Sequence, residues 1–184
     1  MSRIWKSQIQ IPSTVTVELK NNVVTVKGPK GELAQVVRDF VTLTQVENTL
    51  NVGVKDETET FQRGVWGLSR TLVNNMILWV TIGFQKTLEI QWVGYKFEVI
   101  GTNKLILSVG FSHKVELEAP KWIVITVEPT IKNAIIIAWI DKQQVGFFAA
   151  KVRAVKKPEP YKGKWIRYSG EYVRRKAGKT WGKK

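Results

Sequence analysis

The chain of 184 residues contains no cysteine and a single histidine, His113. Without thiols there is neither a disulfide framework nor a thiolate metal site, and one imidazole leaves a metal almost no nitrogen ligand. No uncharged apolar run reaches the roughly 18 residues that a membrane-spanning helix needs. The start, Met1-Ser2-Arg3-Ile4-Trp5-Lys6, lacks the apolar stretch of a secretory signal. A protein that stays in the compartment where it is made, with no membrane partner, is expected. Acid is scarce as well: 15 Asp and Glu stand against 29 Lys and Arg, a formal charge of +14 and a pI near 10.0. That balance fits a nucleic-acid partner better than an acidic small molecule.

Catalytic constellations are also missing. Gly178-Lys179-Thr180 ends like a phosphate-binding loop, but the first glycine of G-x-x-x-x-G-K-[ST] would fall at Val173 and no helix follows. His113 follows Ser112 without a nucleophile motif or a partner acid at a recognisable offset, and it reads as a partly exposed strand histidine. Glu116 and Glu118 share one strand face, where carboxylates on the wet side of an antiparallel sheet are the ordinary case. Neither an enzyme, a cofactor nor a small-molecule substrate is expected.

What the chain does have is concentrated at one end. Residues 151–184 hold thirteen Lys or Arg against Glu159 and Glu171, so +11 of the +14 lies there, while the first 150 residues are close to balanced. Such asymmetry is the footprint of a polyanion partner, because each neutralised phosphate releases condensed counterions. Pro158, Pro160, Tyr161, Trp165, Ile166, Tyr168, Tyr172 and Val173 interleave the charges. Apolar groups of this kind need something to pack on, so the segment reads as docked and structured rather than as a solvated tail. Lys162-Gly163-Lys164 lets a backbone approach a phosphodiester between two ammonium groups, and Arg174-Arg175-Lys176 offers guanidinium forks to phosphate oxygens.

Along the rest of the chain, period-two alternation predicts strands at 15–20 and 23–27 around an Asn21-Asn22 turn. Others are predicted at 32–37 after the turn Gly28-Pro29-Lys30-Gly31, and at 41–46 and 49–54. From Asp56 on, with Asp56 or a close neighbour as the candidate cap, the spacing of Phe61, Val65, Leu68, Leu72, Met76 and Val80 predicts one long helix. Strands then recur at 88–90, 95–99, 105–107, 115–118, 123–127 and 134–140. Asp141 and a second helical pattern through Val145, Phe148, Val152 and Val155 follow. Asn48-Thr49-Leu50-Asn51-Val52 aligns with Asn133-Ala134-Ile135-Ile136-Ile137, and each strand runs to an aspartate, Asp56 or Asp141. The expected fold is α+β: two tandem related lobes, each a mostly antiparallel sheet packed on one helix, with a basic C-terminal extension. The lobes are placed at 1–82 and 83–157 and the extension at 158–184.

The stretches Pro158-Glu159-Pro160-Tyr161-Lys162-Gly163-Lys164-Trp165-Ile166-Arg167-Tyr168 and Gly170-Glu171-Tyr172-Val173-Arg174-Arg175-Lys176-Ala177-Gly178-Lys179 resemble the bacterial type of the large-subunit ribosomal protein L-six family. Supporting stretches are Met1 to Ile4 with Pro12, Val26 to Leu33, Val93-Gly94-Tyr95 and Ile140 to Gly146. The resemblance implies a cytoplasmic, non-enzymatic ribosomal component that binds large-subunit ribosomal RNA near the translation-factor docking region, beside neighbouring ribosomal proteins. Carried over by position, it implies RNA contacts at Tyr161, Lys162, Gly163, Lys164, Arg167, Tyr168, Arg174, Arg175, Lys176 and Lys179, with Lys156 and Lys157 alongside. Two alternatives of other classes are a free-standing basic module for DNA or messenger RNA, and a hydrolase using His113 with Glu116 or Glu118.

The chain departs from that family's pattern in one direction. Tryptophan stands where the pattern has glycine at Trp5, Trp79, Trp92, Trp122, Trp139, Trp165 and Trp181, and only Trp66 falls elsewhere. An indole suits neither positive φ nor close backbone approach. Our reading is that these positions are UGA codons written as Trp, from an organism whose own code reads UGA as Gly. It predicts crowded indoles, or exposed indoles at turns. If the tryptophans are real, Trp165 would stack on a base.

Overall fold

The computed structural model describes residues 5–20 and 22–179. The stretch Met1 to Ile4, Asn21, Thr180, Trp181, Lys183 and Lys184, all used above, lie outside the described residues. Packing divides the chain into two compact units, Met1–Gly83 and Phe84–Lys184.

In the first unit the strands form two antiparallel sheets. β2 (Thr16–Lys20), β3 (Val23–Gly28) and β4 (Gly31–Val36) make one, in the order β2-β3-β4. β1 (Ile9–Gln10), β5 (Val41–Val46) and β6 (Thr49–Val54) make the other, in the order β1-β6-β5. Asn22, at φ +62°, supplies the left-handed residue of the first hairpin. Gly28 opens the next turn, where a Cβ would lie 2.6 Å from a Val80 methyl, so only glycine lets the hairpin close against the helix.

That helix, α1 (Thr60–Ile82), starts just ahead of Phe61, the first residue of the predicted spacing. Of the two alternatives for the cap, the close neighbour is the one found: the Asp56 carboxylate accepts from the Thr58 amide and hydroxyl, holding the turn ahead of the helix. Glu59 occupies the cap position, its carboxylate accepting from the Gln62 side-chain amide at 2.6 Å rather than from a backbone amide of the first turn. The buried face differs from the predicted stripe. Trp66, Ser69, Val73, Met76, Ile77 and Val80 point into the core, while Phe61 and Leu68 are exposed. The helix carries two neighbouring apolar stripes, and the one that buries Trp66, whose indole N–H donates to the Val52 carbonyl at 2.7 Å, faces the sheets. The helix ends at Gly83, φ +81°, whose N–H donates to the Trp79 carbonyl.

The second unit repeats the order. β8 (Lys96–Ile100), β9 (Lys104–Ser108) and β10 (Val115–Glu118) form an antiparallel sheet in the order β10-β9-β8. β7 (Phe84–Gln91), β11 (Val124–Val127), β12 (Ala134–Trp139) and β13 (Trp165–Tyr168) form a four-stranded one in the order β11-β12-β7-β13, again antiparallel throughout. α2 (Lys142–Val155) is capped as expected, with the Asp141 carboxylate accepting from the Gln143 amide at 2.8 Å. Its face Val145, Phe148, Ala149 and Val152 packs with Leu88, Leu105, Leu107, Ile123, Ile135, Ile137 and Ile166 in one core. Both lobes are therefore an antiparallel scaffold with one helix, the α+β class read from the sequence, and each divides its strands into two sheets. Among the described residues no helix is long and apolar enough to cross a membrane, and no cluster of potential ligands could hold a metal.

Candidate nucleic-acid interface

The basic segment is built into the second unit by a strand. β13 pairs with β7 in the register Trp165↔Gln91, Ile166↔Ile90, Arg167↔Glu89 and Tyr168↔Leu88. Ile166 is fully buried, a contribution of roughly 1.5–3 kcal/mol relative to leaving it in water. Next to it, Arg167 donates through Nε to the carboxylate of Glu89, which is itself buried. Arg167 is thus engaged within the protein, neutralising a charge that would be costly to leave alone.

Tyr168 has a similar internal role. The Lys86 ammonium lies 5.1 Å and the Arg153 guanidinium 5.6 Å from its ring centroid. Arg153 in turn donates through Nε and Nη2 to both carboxylate oxygens of Glu171, and the Tyr168 amide donates to the same carboxylate at 3.0 Å. The Arg153 hydrogen bond, ahead of the opposing desolvation, holds the Glu171 carboxyl below its ordinary range, and the Arg153 guanidinium is raised in response. Of the two acids of the C-terminal segment, Glu171 clamps the chain after β13 through its carboxylate, and Glu159 closes the loop before it through its backbone alone.

In that loop the Glu159 amide donates to the Lys164 carbonyl and the Gly163 amide to the Glu159 carbonyl, each at 3.1 Å. Gly163 sits at φ +69°, a conformation that L side chains rarely adopt, so glycine is required by the turn itself. The Lys176 amide donates to the Pro160 carbonyl at 2.8 Å, pinning the irregular chain after Glu171 back onto the loop. On this frame Lys157, Tyr161, Lys162, Arg174, Arg175, Lys176 and Lys179 are exposed. Lys156 and Lys164 are half-buried over aromatic faces: Lys156 is 4.7 Å from the Phe111 centroid and 4.8 Å from that of Trp165, and Lys164 is 3.3 Å from that of Trp92.

The predicted residues thus separate into exposed cations with the exposed Tyr161 ring, the half-buried Lys156 and Lys164, a turn glycine, and an internal pair, Arg167 and Tyr168. Phe111 and Lys86 join this surface without having been singled out, because chain folding alone brings the β9–β10 loop and β7 to it. His113 stacks on Phe111 and has no carboxylate of Glu116 or Glu118 as partner. Glu116 pairs with Lys104 at 2.7 Å, and no acid–base dyad forms.

The tryptophans fall into two groups. Trp165 has φ +82°, the sole aromatic among the described non-glycine residues at positive φ, where a bulky side chain is an outlier. Trp92, in the turn after β7, and Trp122, in the turn before β11, are 43% and 48% exposed. By contrast Trp5 stacks on Trp66 at 5.2 Å, Trp79 is buried in α1, and Trp139 packs against the second core.

A family model described as ribosomal protein L6 matches residues 11–83 and 93–169. The chain belongs to the ribosomal protein L6 family. The two matched stretches coincide with the two repeated units, and β13 lies inside the second. The chain is 52% identical over 180 residues to the large ribosomal subunit protein uL6 of Nostoc punctiforme, covering 98% of this chain and 97% of that one. It is 51% identical to the protein of the same name from Dictyoglomus thermophilum over the full length of both. With the Staphylococcus saprophyticus uL6 it shares 51% over 98% of this chain and 99% of the relative. As an L6 protein the chain is a structural ribosomal component rather than an enzyme, which removes the hydrolase reading.

Proposed function

We propose that the chain is a structural constituent of the large ribosomal subunit that binds large-subunit ribosomal RNA through its C-terminal segment, near the region where translation factors dock. The observation that carries this reading is the clamped array of exposed cations, Lys157, Lys162, Arg174, Arg175, Lys176 and Lys179, on a frame fixed by β13, by Glu171 and by the Lys176 amide. Cations held in place lose less conformational freedom on meeting phosphates than those of a loose tail. Gly163 itself is buried with the Arg175 guanidinium beside it, so the turn presents the exposed Lys162 rather than its backbone, while Arg174 and Arg175 present forks and Tyr161 offers an exposed ring. Arg167 and Tyr168 act by holding the strand in register.

Two measurements test this. The protein should sediment with large subunits and leave them only at high salt, whereas a free-standing DNA or messenger-RNA module would stay in the soluble fraction. Lys162→Ala and Arg174→Ala should each weaken binding to a large-subunit RNA transcript and lower the salt slope by about one phosphate's worth of counterion release. An unchanged slope would remove the residue tested from the phosphate-binding set.

We further propose that the tryptophans other than Trp66 stand for glycine in the protein made by its source. Trp165 favours this most directly, since an indole there sits in backbone space that glycine occupies without strain. Trp92 and Trp122 at turns agree; the well-packed Trp5 and Trp79 do not by themselves argue for it. Peptide mass spectrometry of the protein purified from its source decides the matter: glycine mass at 92, 139 and 165 is expected, and indole mass there would refute it.

A further inference from the structure

The loop between β9 and β10 turns at Gly110, whose φ is +74° and where a Cβ would lie 2.5 Å from the Tyr95 hydroxyl. Glycine is required on both counts, and the loop is seated on Tyr95 as a result. It presents Phe111 and His113 outward as a pair of near-parallel rings, centroids 5.9 Å apart with 13° between their planes. Phe111 remains 43% exposed, and Ser112, His113 and Lys114 are exposed with it. Beside the rings lies an open cavity of about 210 Å³, bounded by Val93, Tyr95, Phe111 and His113, too small for a cofactor.

Charge decides what such a platform can receive. The Lys156 ammonium lies over Phe111 and also over Trp165, which joins the ring pair to the C-terminal basic segment. Lys114 flanks His113 and is bonded to Glu98 at 3.1 Å, so its charge is partly answered. Among the described residues no acid forms an ion pair with Lys156. An aromatic face bordered by an unpaired ammonium suits a flat π-system with a negative group close beside it, as in a nucleotide.

We propose that the 110–114 loop is a stacking site for one unpaired nucleotide of the ribosomal RNA, its base on Phe111 and His113 and its phosphate toward Lys156. The proposal rests on the RNA-binding reading above and names a contact outside the C-terminal segment. Unpaired bases in loops and bulges expose their faces for such stacking, whereas bases within an RNA helix do not. The ring pair itself, Phe111 with His113, includes neither Trp92 nor Trp165.

The test is equilibrium binding of the full chain to a transcript of its own large-subunit RNA across a salt series. Phe111→Ala should weaken binding about tenfold at every salt concentration while leaving the salt slope unchanged, because stacking releases no counterions. Phe111→Tyr should restore affinity, showing that the ring and not the fold was removed. Unchanged affinity of Phe111→Ala beside a wild-type chain that binds with its full salt dependence would overturn the nucleotide site and leave the RNA-binding reading intact. Unchanged RNA affinity with impaired entry into particles would assign the ring pair to a neighbouring protein and equally overturn it. A wild-type chain with no salt-dependent binding would overturn both.

Discussion

The two lobes share a plan and differ in what is added to it. In each, a hairpin (β5-β6 or β11-β12) pairs through its second strand with the lobe's first strand, β1 or β7. In each, the first strand is tied to the hairpin turn by a matching hydrogen bond, from the Ile11 amide to the Asn48 carbonyl and from the Ile90 amide to the Asn133 carbonyl. Yet β1 has two residues and β7 eight, and only β7 takes a further strand, β13, along its other edge. Charge follows the same division. The first unit carries nine bases and seven acids, a net +2, and the second twenty and eight, a net +12. One copy of a duplicated scaffold differs from the other by an addition: its own basic C-terminal chain covers an open sheet edge, which removes an aggregation-prone edge and fixes the register of the cations together.

That comparison can be broken most forcefully at Ile166. Ile166→Ala leaves a cavity in the second core and should cost about 2–4 kcal/mol, read by denaturant unfolding. The loss should fall on the second unit and leave the first unchanged. Equal destabilisation of both lobes would mean that β13 does not belong to one of them alone. Next in size is Arg167→Met, which strands the buried Glu89 carboxylate. With the Arg167 side chain 24% and Glu89 10% exposed, the expected cost is about 1–3 kcal/mol. Arg167→Met with Glu89→Leu should recover most of it, and failure to recover would show that the pair is not what holds the strand.

These two residues also mark where sequence reasoning stops. The helices were legible because 3.6-residue spacing and Asp141 announce them, and the hairpins because alternation and turn residues do. β1 is too short for alternation to register. β13 hides because Trp165-Ile166-Arg167-Tyr168 buries one apolar side chain only, and its charged neighbour is satisfied by Glu89, far away in the chain. The resemblance, carried over by position, places Arg167 and Tyr168 among the RNA contacts; their partners within the fold are Glu89, Lys86 and Arg153, which no reading of the sequence supplied. The exposed cations were legible as a group, since a net charge concentrated in one segment needs no fold to be seen. The meeting of Phe111 with Lys156 could come only from the folded chain.

Glu171 gives a smaller and pH-dependent difference between the lobes. Its folded-state carboxyl is held below the ordinary range, so its contribution is complete above that range and is lost as pH falls through the lowered value. Acid titration of stability should show an acid-side loss that Glu171→Gln removes; the variant should also cost about 1–2 kcal/mol near neutrality. A variant that titrates like the parent would sever the clamp from stability. The smallest effect is expected from Trp165→Gly, where relief of left-handed strain, roughly 1–2 kcal/mol, is partly offset by removal of the indole's packing. The net should be a gain of up to about 1 kcal/mol, and a clear loss would make the indole a genuine packing element.

The most direct measurement is the salt dependence of affinity for a large-subunit RNA transcript, compared between the full chain and a variant with Lys157, Lys162, Arg174, Arg175, Lys176 and Lys179 all changed to Ala. The cations clamped by β13 are predicted to neutralise most of the phosphates engaged, so the slope of the variant should fall by roughly one unit for each phosphate no longer neutralised, and affinity should drop by orders of magnitude. A slope that stays with the variant would place the phosphate-binding cations elsewhere and contradict the assignment of RNA binding to the added segment.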